Sequence, residues 1–321
     1  MPTSTSNRNH RADYTAKAKR EGAWEPYTAE QVTSWENRLD VVERTKENYR
    51  LGLASFCEFA RACAVRSPAE VDEDLVLGFK EFLQECGRSS SCISLYLAGV
   101  RSFLRSLGGD NPAANVRGGK ARRGFKKEAL SLDEARRLLE CYPGDDEASA
   151  RNRAIISLML HTGLRDIEVA RANVGDMGQA SGFKVLHVQG KGREEADAFV
   201  KLSPSVQAAL NEYLALRKDR ALNAPLFTSL SNNNRGGRLT THTVSSVVKS
   251  ALRQIGIDDP RYTAHSLRHT AITLALIGGA TDAEAKEMAR HADISTTMIY
   301  SHHIQRLEQA AEDKVAALLD D

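Results

Sequence analysis

The sequence predicts a mainly α-helical protein of two domains, a four-helix bundle followed by a mostly helical domain with a small antiparallel sheet. Three observations carry that expectation. Apolar residues recur at spacings of three and four from about Tyr27 to Leu107. A Gly-, Lys- and Arg-rich stretch without apolar periodicity follows. Beyond it, one short β-rich pair of segments interrupts an otherwise helical pattern. At 321 residues, 41% hydrophobic and 27% charged, the chain can build two cores and reads as soluble and globular.

The elements follow in order. Residues 1–25 are polar and read as a flexible tail. The first domain spans 26–112. Thr28 to Leu39 reads as its first helix, and Arg44 to Ala64 as its second, with Tyr49, Leu53, Phe56 and Ala60 on one face. A third runs from Asp72 to Cys86 and stops at Gly87, and a fourth from Ser90 to Leu107 closes at Gly108-Gly109. Residues 113–128 read as a basic linker, and 129–321 as the second domain. Ser131 and Glu134 have capping-box spacing for a helix ending near Cys141. An apolar helix from Ala148 to His161 ends at Gly163. Phe183 to Val188 pairs with Ala198 to Leu202 as a hairpin, Ser203-Pro204 starts a further helix, and the remainder reads as helical.

Several function classes fall away. No apolar run approaches the ~18 residues that cross a bilayer, and the polar N-terminus lacks a signal-peptide core. Five cysteines without a C-x-x-C motif read as reduced thiols of a cytoplasmic protein. Net charge is only +2, but Arg117, Lys120, Arg122, Arg123, Lys126 and Lys127 form an acid-free cluster. Such a cluster is a footprint for phosphates, or else simply a solvated linker.

The chemistry concentrates in the last quarter. His265 and Arg268, three apart on a helix, project to the same side. His291 and Tyr300 follow. A guanidinium fork, groups that move protons and an oxygen nucleophile suit phosphoryl transfer through a phosphotyrosine. Arg165, after Thr162-Gly163-Leu164, either joins this set or pairs with an acid such as Glu168. Lys191, between two glycines at the hairpin tip, is a surface lysine or a mobile proton donor. His269 reads as an internal packing or hydrogen-bonding residue. A metal on His265 and His269 lacks the Glu of a zincin motif and any nearby Cys/His cluster, so no metal is expected there. Tyr300 alone also fits a half-buried packing residue.

In order and spacing, Arg165, Lys191, His265, Arg268, His291 and Tyr300 resemble the tyrosine recombinase (phage-type integrase) family. His161-Thr-Gly-Leu-Arg-Asp-Ile-Glu168 is similar to its first arginine box, and His265-Ser-Leu-Arg-His-Thr270 to its second. Arg290 to Tyr300 resembles its terminal box, while Arg44 to Tyr49 and Ser89 to Leu107 resemble its core-binding domain. The resemblance implies site-specific DNA cleavage and rejoining by Tyr300 through a 3′-phosphotyrosine. Arg165 and Arg268 would hold the phosphate, Lys191 would protonate the leaving 5′ oxygen, and His265 would assist proton transfer at the tyrosine. His291 would donate to a phosphate oxygen, with Glu168 bracing the site, and no metal or nucleotide cofactor would be needed, because the covalent intermediate retains the phosphodiester bond energy. A type IB-like topoisomerase or a non-catalytic DNA-binding regulator are the alternatives.

The implied partners are double-stranded DNA with inverted-repeat core sites and further copies of the chain, in a homotetramer joined by C-terminal tail exchange. Candidate DNA contacts are Thr45, Lys46, Arg101, Arg105, Arg122, Arg123, Lys126 and Lys127. Leu307, Ala311, Val315 and Leu318 share a face on the tail. One departure stands out. The family usually has Gly before the terminal-box His, and this chain has Arg290, which implies either a different turn or an added phosphate contact.

Overall fold

A computed structural model describes residues 24–119, 128–189 and 197–291, and beyond them 294, 297, 298, 300, 311, 313, 315 and 319. The chain divides into two compact units, residues 1–123 and 124–321. Among the described residues no helix is long and apolar enough to cross a membrane.

The first unit contains α1 (Ala29–Asn37), α2 (Glu43–Ala62), α3 (Glu73–Glu85) and α4 (Ser90–Ser106). Side-chain caps start three of them. Thr28 and Gln31 form a capping box, Asp72 accepts from Leu75 N, and Ser89 accepts from Cys92 N. The apolar stripes meet in a core containing Trp35, Leu53, Phe56, Phe79, Leu97 and Phe103. Ala113 and Val116 are buried in the same core, at 0% and 2% exposure. The expected linker from 113 therefore begins inside the first unit, because its first apolar residues seal the bundle.

Helices α2 and α4 meet almost backbone to backbone. A Cβ on Gly52 would lie 2.7 Å from Tyr96 Cα, and one on Gly99 would lie 2.8 Å from Tyr49 Cα. Neither neighbour can yield without moving a helix. Gly99→Ala is therefore expected to destabilise this unit by about 1–3 kcal/mol, despite alanine's better helix propensity. Denaturant titration reads this as a lowered midpoint; an unchanged or raised one rules out the close approach.

The second unit contains α5 (Leu132–Glu140), α6 (Glu147–Thr162), α7 (Asp166–Arg171), β1 (Met177–Ala180), β2 (Phe183–Val188), β3 (Ala198–Lys201), α8 (Pro204–Leu216), α9 (Thr241–Gln254), α10 (Ala264–Ile277) and α11 (Asp282–Ala289). Helix α6 buries residues on every side, among them Ile155, Ile156, Leu158 and Met159, as a central helix must. Helices α8 and α10 pack against it.

The sheet is antiparallel, in the order β1-β2-β3. The expected hairpin is β2 with β3, in register Val188↔Ala198 through Val185↔Lys201. Strand β1 escapes prediction because Met-Gly-Gln-Ala has no β-branched residue. It forms because Ser181 and Gly182, at φ 49° and 83°, make a tight turn of the kind that right-twisted hairpins require.

The expectation of a helical remainder fails between α8 and α9. Residues 217–240 hold only a 3-10 turn (Asn232–Asn234) and two isolated bridges, Asn173↔Pro225 and Thr228↔Arg238. Arginine side chains organise this segment. Arg217 donates to the carbonyls of Pro225 and Leu226, both at 2.8 Å. Arg238 donates to the carbonyls of Ala170 and Arg171, at 3.0 and 2.6 Å, and so covers the C-terminal end of α7.

Candidate functional site

Gly163 ends α6 in the left-handed region (φ 63°, ψ 23°), where glycine carries no Cβ penalty. The chain then turns so that Arg165 becomes the N-cap of α7. Its backbone N–H donates to Glu168 Oε2 at 2.7 Å and its Nη1 to Oε1 at 3.0 Å. Local capping therefore sets the direction of the first arginine.

Arg268 comes from the inward face of α10 and is 1% exposed. Its Nη1 donates to the Gly163 carbonyl at 2.7 Å, and its Nη2 donates to the Ala289 carbonyl. Burial, then the charges of Arg165 and Arg290, push its pKa down to about 9. The group remains charged at neutral pH, but in surroundings that favour an arriving anion.

Arg165, Arg268 and His265 line one cavity of about 200 Å³, together with Asp166, Ser245, Thr263 and Ala264. The first and second arginine boxes thus converge, although more than a hundred residues separate them. A second cavity of about 570 Å³ is lined by Ala198 of β3, by Lys286 and Glu287 of α11, and by Arg290, His291 and Ile294. It brings the base of the β2–β3 hairpin beside the terminal box. Lys191, expected at the tip of that hairpin, lies outside the described residues.

His291 Nδ1 and Thr297 Oγ1 are 2.9 Å apart. Burial, then Arg268 and Arg165, lower the His291 pKa to about 4, so the ring is neutral near pH 7. Tyr300 is 5% exposed and packs with Ile272, Ala285 and Ala289. Burial raises its pKa to about 12, against the charge of Arg268. Its hydroxyl is hydrogen-bonded to His269 Nδ1.

Glu168 has a fully buried carboxylate gripped from two sides. Arg290 Nη2 lies 2.9 Å from Oε2 and Arg290 Nε 3.4 Å from Oε1, opposite Arg165. Burial alone would raise the Glu168 pKa; Arg290 and Arg165 outweigh it and hold the group below its usual range. Arg290 keeps the left-handed turn that a glycine would make, at φ 54° and ψ 46°. The turn is thus left-handed with an arginine in it, and the guanidinium goes to Glu168 and the Met288 carbonyl. Sequence reasoning missed this pairing. It also missed His269 as the partner of Tyr300, although its i+4 spacing from His265 was a usable signal.

The expected DNA contacts divide. Arg105 is exposed on α4, and Thr45 and Lys46 are half-buried in the first turn of α2. Arg101 instead serves its own fold, donating to the carbonyls of Ala113 at 3.0 Å and Val116 at 2.6 Å. Those two donors are engaged within the first unit. Arg122, Arg123, Lys126 and Lys127 lie outside the described residues. On the tail, Ala311 and Val315 are helical and exposed, while Leu307 and Leu318 are not described.

Residues 128–306 match the Phage integrase family. A tyrosine recombinase XerD of Halalkalibacterium halodurans is 31% identical, over 74% of this chain and 79% of its own. A tyrosine recombinase XerC of Thermodesulfovibrio yellowstonii is 30% identical, over 84% of this chain and 91% of its own. The fold resembles XerH recombinase bound to its palindromic difH substrate in a post-cleavage complex. That match has TM-score 0.69 and 21% identity, over 95% of this chain and 93% of the other. It also resembles a lambda integrase dimer bound to a COC′ core site, with TM-score 0.64 and 16% identity over 83% and 96%.

Proposed function

We infer, for a chain that belongs to the phage integrase family, the work of a site-specific tyrosine recombinase that cleaves and rejoins DNA strands. The observation that carries the mechanism is the convergence of Arg165, Arg268 and His265 on one small cavity, with Tyr300 seated against the same helix, α10. Two guanidiniums supply five-donor forks suited to the non-bridging oxygens of one phosphodiester. In the pentacoordinate transition state they face more negative charge than in the ground state, so their effect falls on rate.

The Tyr300 oxygen attacks phosphorus and the bond to the 5′ oxygen breaks, leaving a 3′-phosphotyrosine and a free 5′-hydroxyl. Lys191 protonates the departing oxygen. His291, neutral and held by Thr297, donates to a phosphate oxygen. Glu168 keeps Arg165 aimed. The ester bond energy is retained in the phosphotyrosine, so rejoining needs no nucleotide, and the paired arginines take the charge-stabilising role without a metal ion.

The substrate is double-stranded DNA carrying inverted-repeat core sites. Thr45, Lys46 and Arg105 of the first unit and the basic residues 117–127 supply phosphate contacts. Active protomers assemble as a tetramer on DNA in the cytoplasm. The exposed Ala311 and Val315 favour a tail helix that buries its apolar face on a neighbouring copy.

The test is a nicked duplex bearing inverted repeats that the protein selects from genomic DNA. With EDTA present, the wild type is expected to form an adduct that survives denaturation, and Tyr300→Phe to form none. No adduct from the wild type, a strict metal requirement, or an adduct from the phenylalanine variant overturns the reading.

A further inference from the structure

We propose that His269 is a catalytic residue, the acceptor of the Tyr300 hydroxyl proton as the tyrosine attacks. The inference rests on the recombinase reading and reassigns one role within it, from His265 to its neighbour one turn along α10.

The Tyr300 hydroxyl contacts His269 Nδ1, and the two ring centroids are 5.2 Å apart. Both residues are buried, at 5% and 8% exposure, so the contact is shielded from competing water. His265 occupies a different place. It lines the anion cavity with Arg165 and Arg268, and its ring meets that of His269 edge to face at 4.6 Å. One histidine thus faces the phosphate and the other faces the nucleophile.

His269 is also in the right protonation state. Burial, then the charges of His265, Arg268 and His291, keep it uncharged near pH 7, which leaves Nδ1 able to accept. A buried tyrosine with a raised pKa needs such an acceptor, since water does not reach it. In the step proposed, the Tyr300 oxygen–phosphorus bond forms as the proton passes to His269 Nδ1. The phosphorus–5′ oxygen bond breaks, and Lys191 gives that oxygen its proton. The incoming phosphate offsets the positive charge of Arg165 and Arg268, so His269 becomes more basic when the substrate is bound. Rejoining runs the same transfers in reverse.

The experiment uses the full chain in single-turnover cleavage of the nicked duplex. His269→Asn keeps an acceptor oxygen near the Nδ1 position but cannot take a proton. It is expected to cleave about 10²–10⁴-fold more slowly while binding DNA as tightly as wild type. Raising the pH toward 10 should rescue this variant more than the wild type, because the fraction of Tyr300 already ionised, on which a variant without a base depends, rises with pH. Replacing the bridging 5′ oxygen by sulfur, which leaves without a proton, should not rescue it. Wild-type cleavage by His269→Asn, or rescue by the sulfur substrate, overturns the proposal. Should the variant bind DNA poorly, His269→Ala carries the comparison as a second variant without a base, and a slow rate insensitive to pH counts against the proposal. The wild-type adduct with none from Tyr300→Phe stands independently, so the failure of His269 is distinguishable from failure of the recombinase reading.

Discussion

An Arg268→Met protein is expected to cleave DNA at least about 10³-fold more slowly than the wild type, yet to melt close to it. The catalytic loss follows from removing one of the two forks that line the cavity. The thermal result comes from opposing terms. Losing the donors to the Gly163 and Ala289 carbonyls costs about 1–3 kcal/mol each. Against this, the wild type keeps a charged group in a site that pushes its pKa down to about 9, beside Arg165 and Arg290. Replacing a buried charge by an apolar side chain of similar volume is often neutral for this reason. Sulfate gives an independent readout. By mass action it should raise the melting temperature of the wild type, where it neutralises the paired arginines, and raise that of Arg268→Met much less. Near-normal cleavage, or equal sulfate stabilisation of both proteins, would remove Arg268 from the phosphate site.

The helices were legible because their signals are local. Ser131 caps the helix that its spacing predicts, and Thr28, Asp72 and Ser89 cap helices at or beside their expected starts. Strand β1 was not legible, since its only local signal is the turn at Ser181 and Gly182 and its partner strand makes the rest. Residues 217–240 failed for the same reason. Their order comes from Arg217 and Arg238 reaching carbonyls elsewhere in the fold, which no periodicity reports. The carbonyl partners of Arg101 were hidden for a like reason, because an arginine on a helix reads alike whether it faces a phosphate or a carbonyl.

The site divides along the same line. Residue types and order marked Arg165, His265, Arg268, His291 and Tyr300, and α10 brings His265 and Arg268 to the cavity as their spacing implies. What stayed hidden were contacts between boxes. Glu168 and Arg290 are separated by 122 positions, and Tyr300 and His269 by 31. Each joins the terminal box to an earlier one. The departure from the family pattern at Arg290 was visible as a backbone problem, but its resolution through a side chain was not.

That resolution leads to the second large effect. Arg290→Gly supplies the residue that the left-handed turn prefers, yet it is expected to destabilise the protein by about 2–4 kcal/mol. Relief at the turn is worth about 1 kcal/mol. Breaking a buried ion pair by removing one partner costs about 3–5 kcal/mol, and Glu168 has no exposed side-chain surface with which to recover solvation. Cleavage should slow as well, because Arg165 is aimed by the same carboxylate. Combining Arg290→Gly with Glu168→Gln should cost less than the sum of the two changes, since each removes the same interaction. Acid adds a signature. The folded-state pKa of Glu168 lies below its ordinary 4.5, so its stabilisation is present above that value and drains as pH falls through the lower one. In Arg290→Gly burial opposes only Arg165, and that stabilisation is largely absent at every pH. The difference in unfolding free energy between the two proteins should therefore be widest near neutrality and shrink below about pH 4.5, measured by denaturant titration across the range. A glycine variant as stable as the wild type at pH 7, or a gap that widens in acid, would show that Arg290 does not hold Glu168.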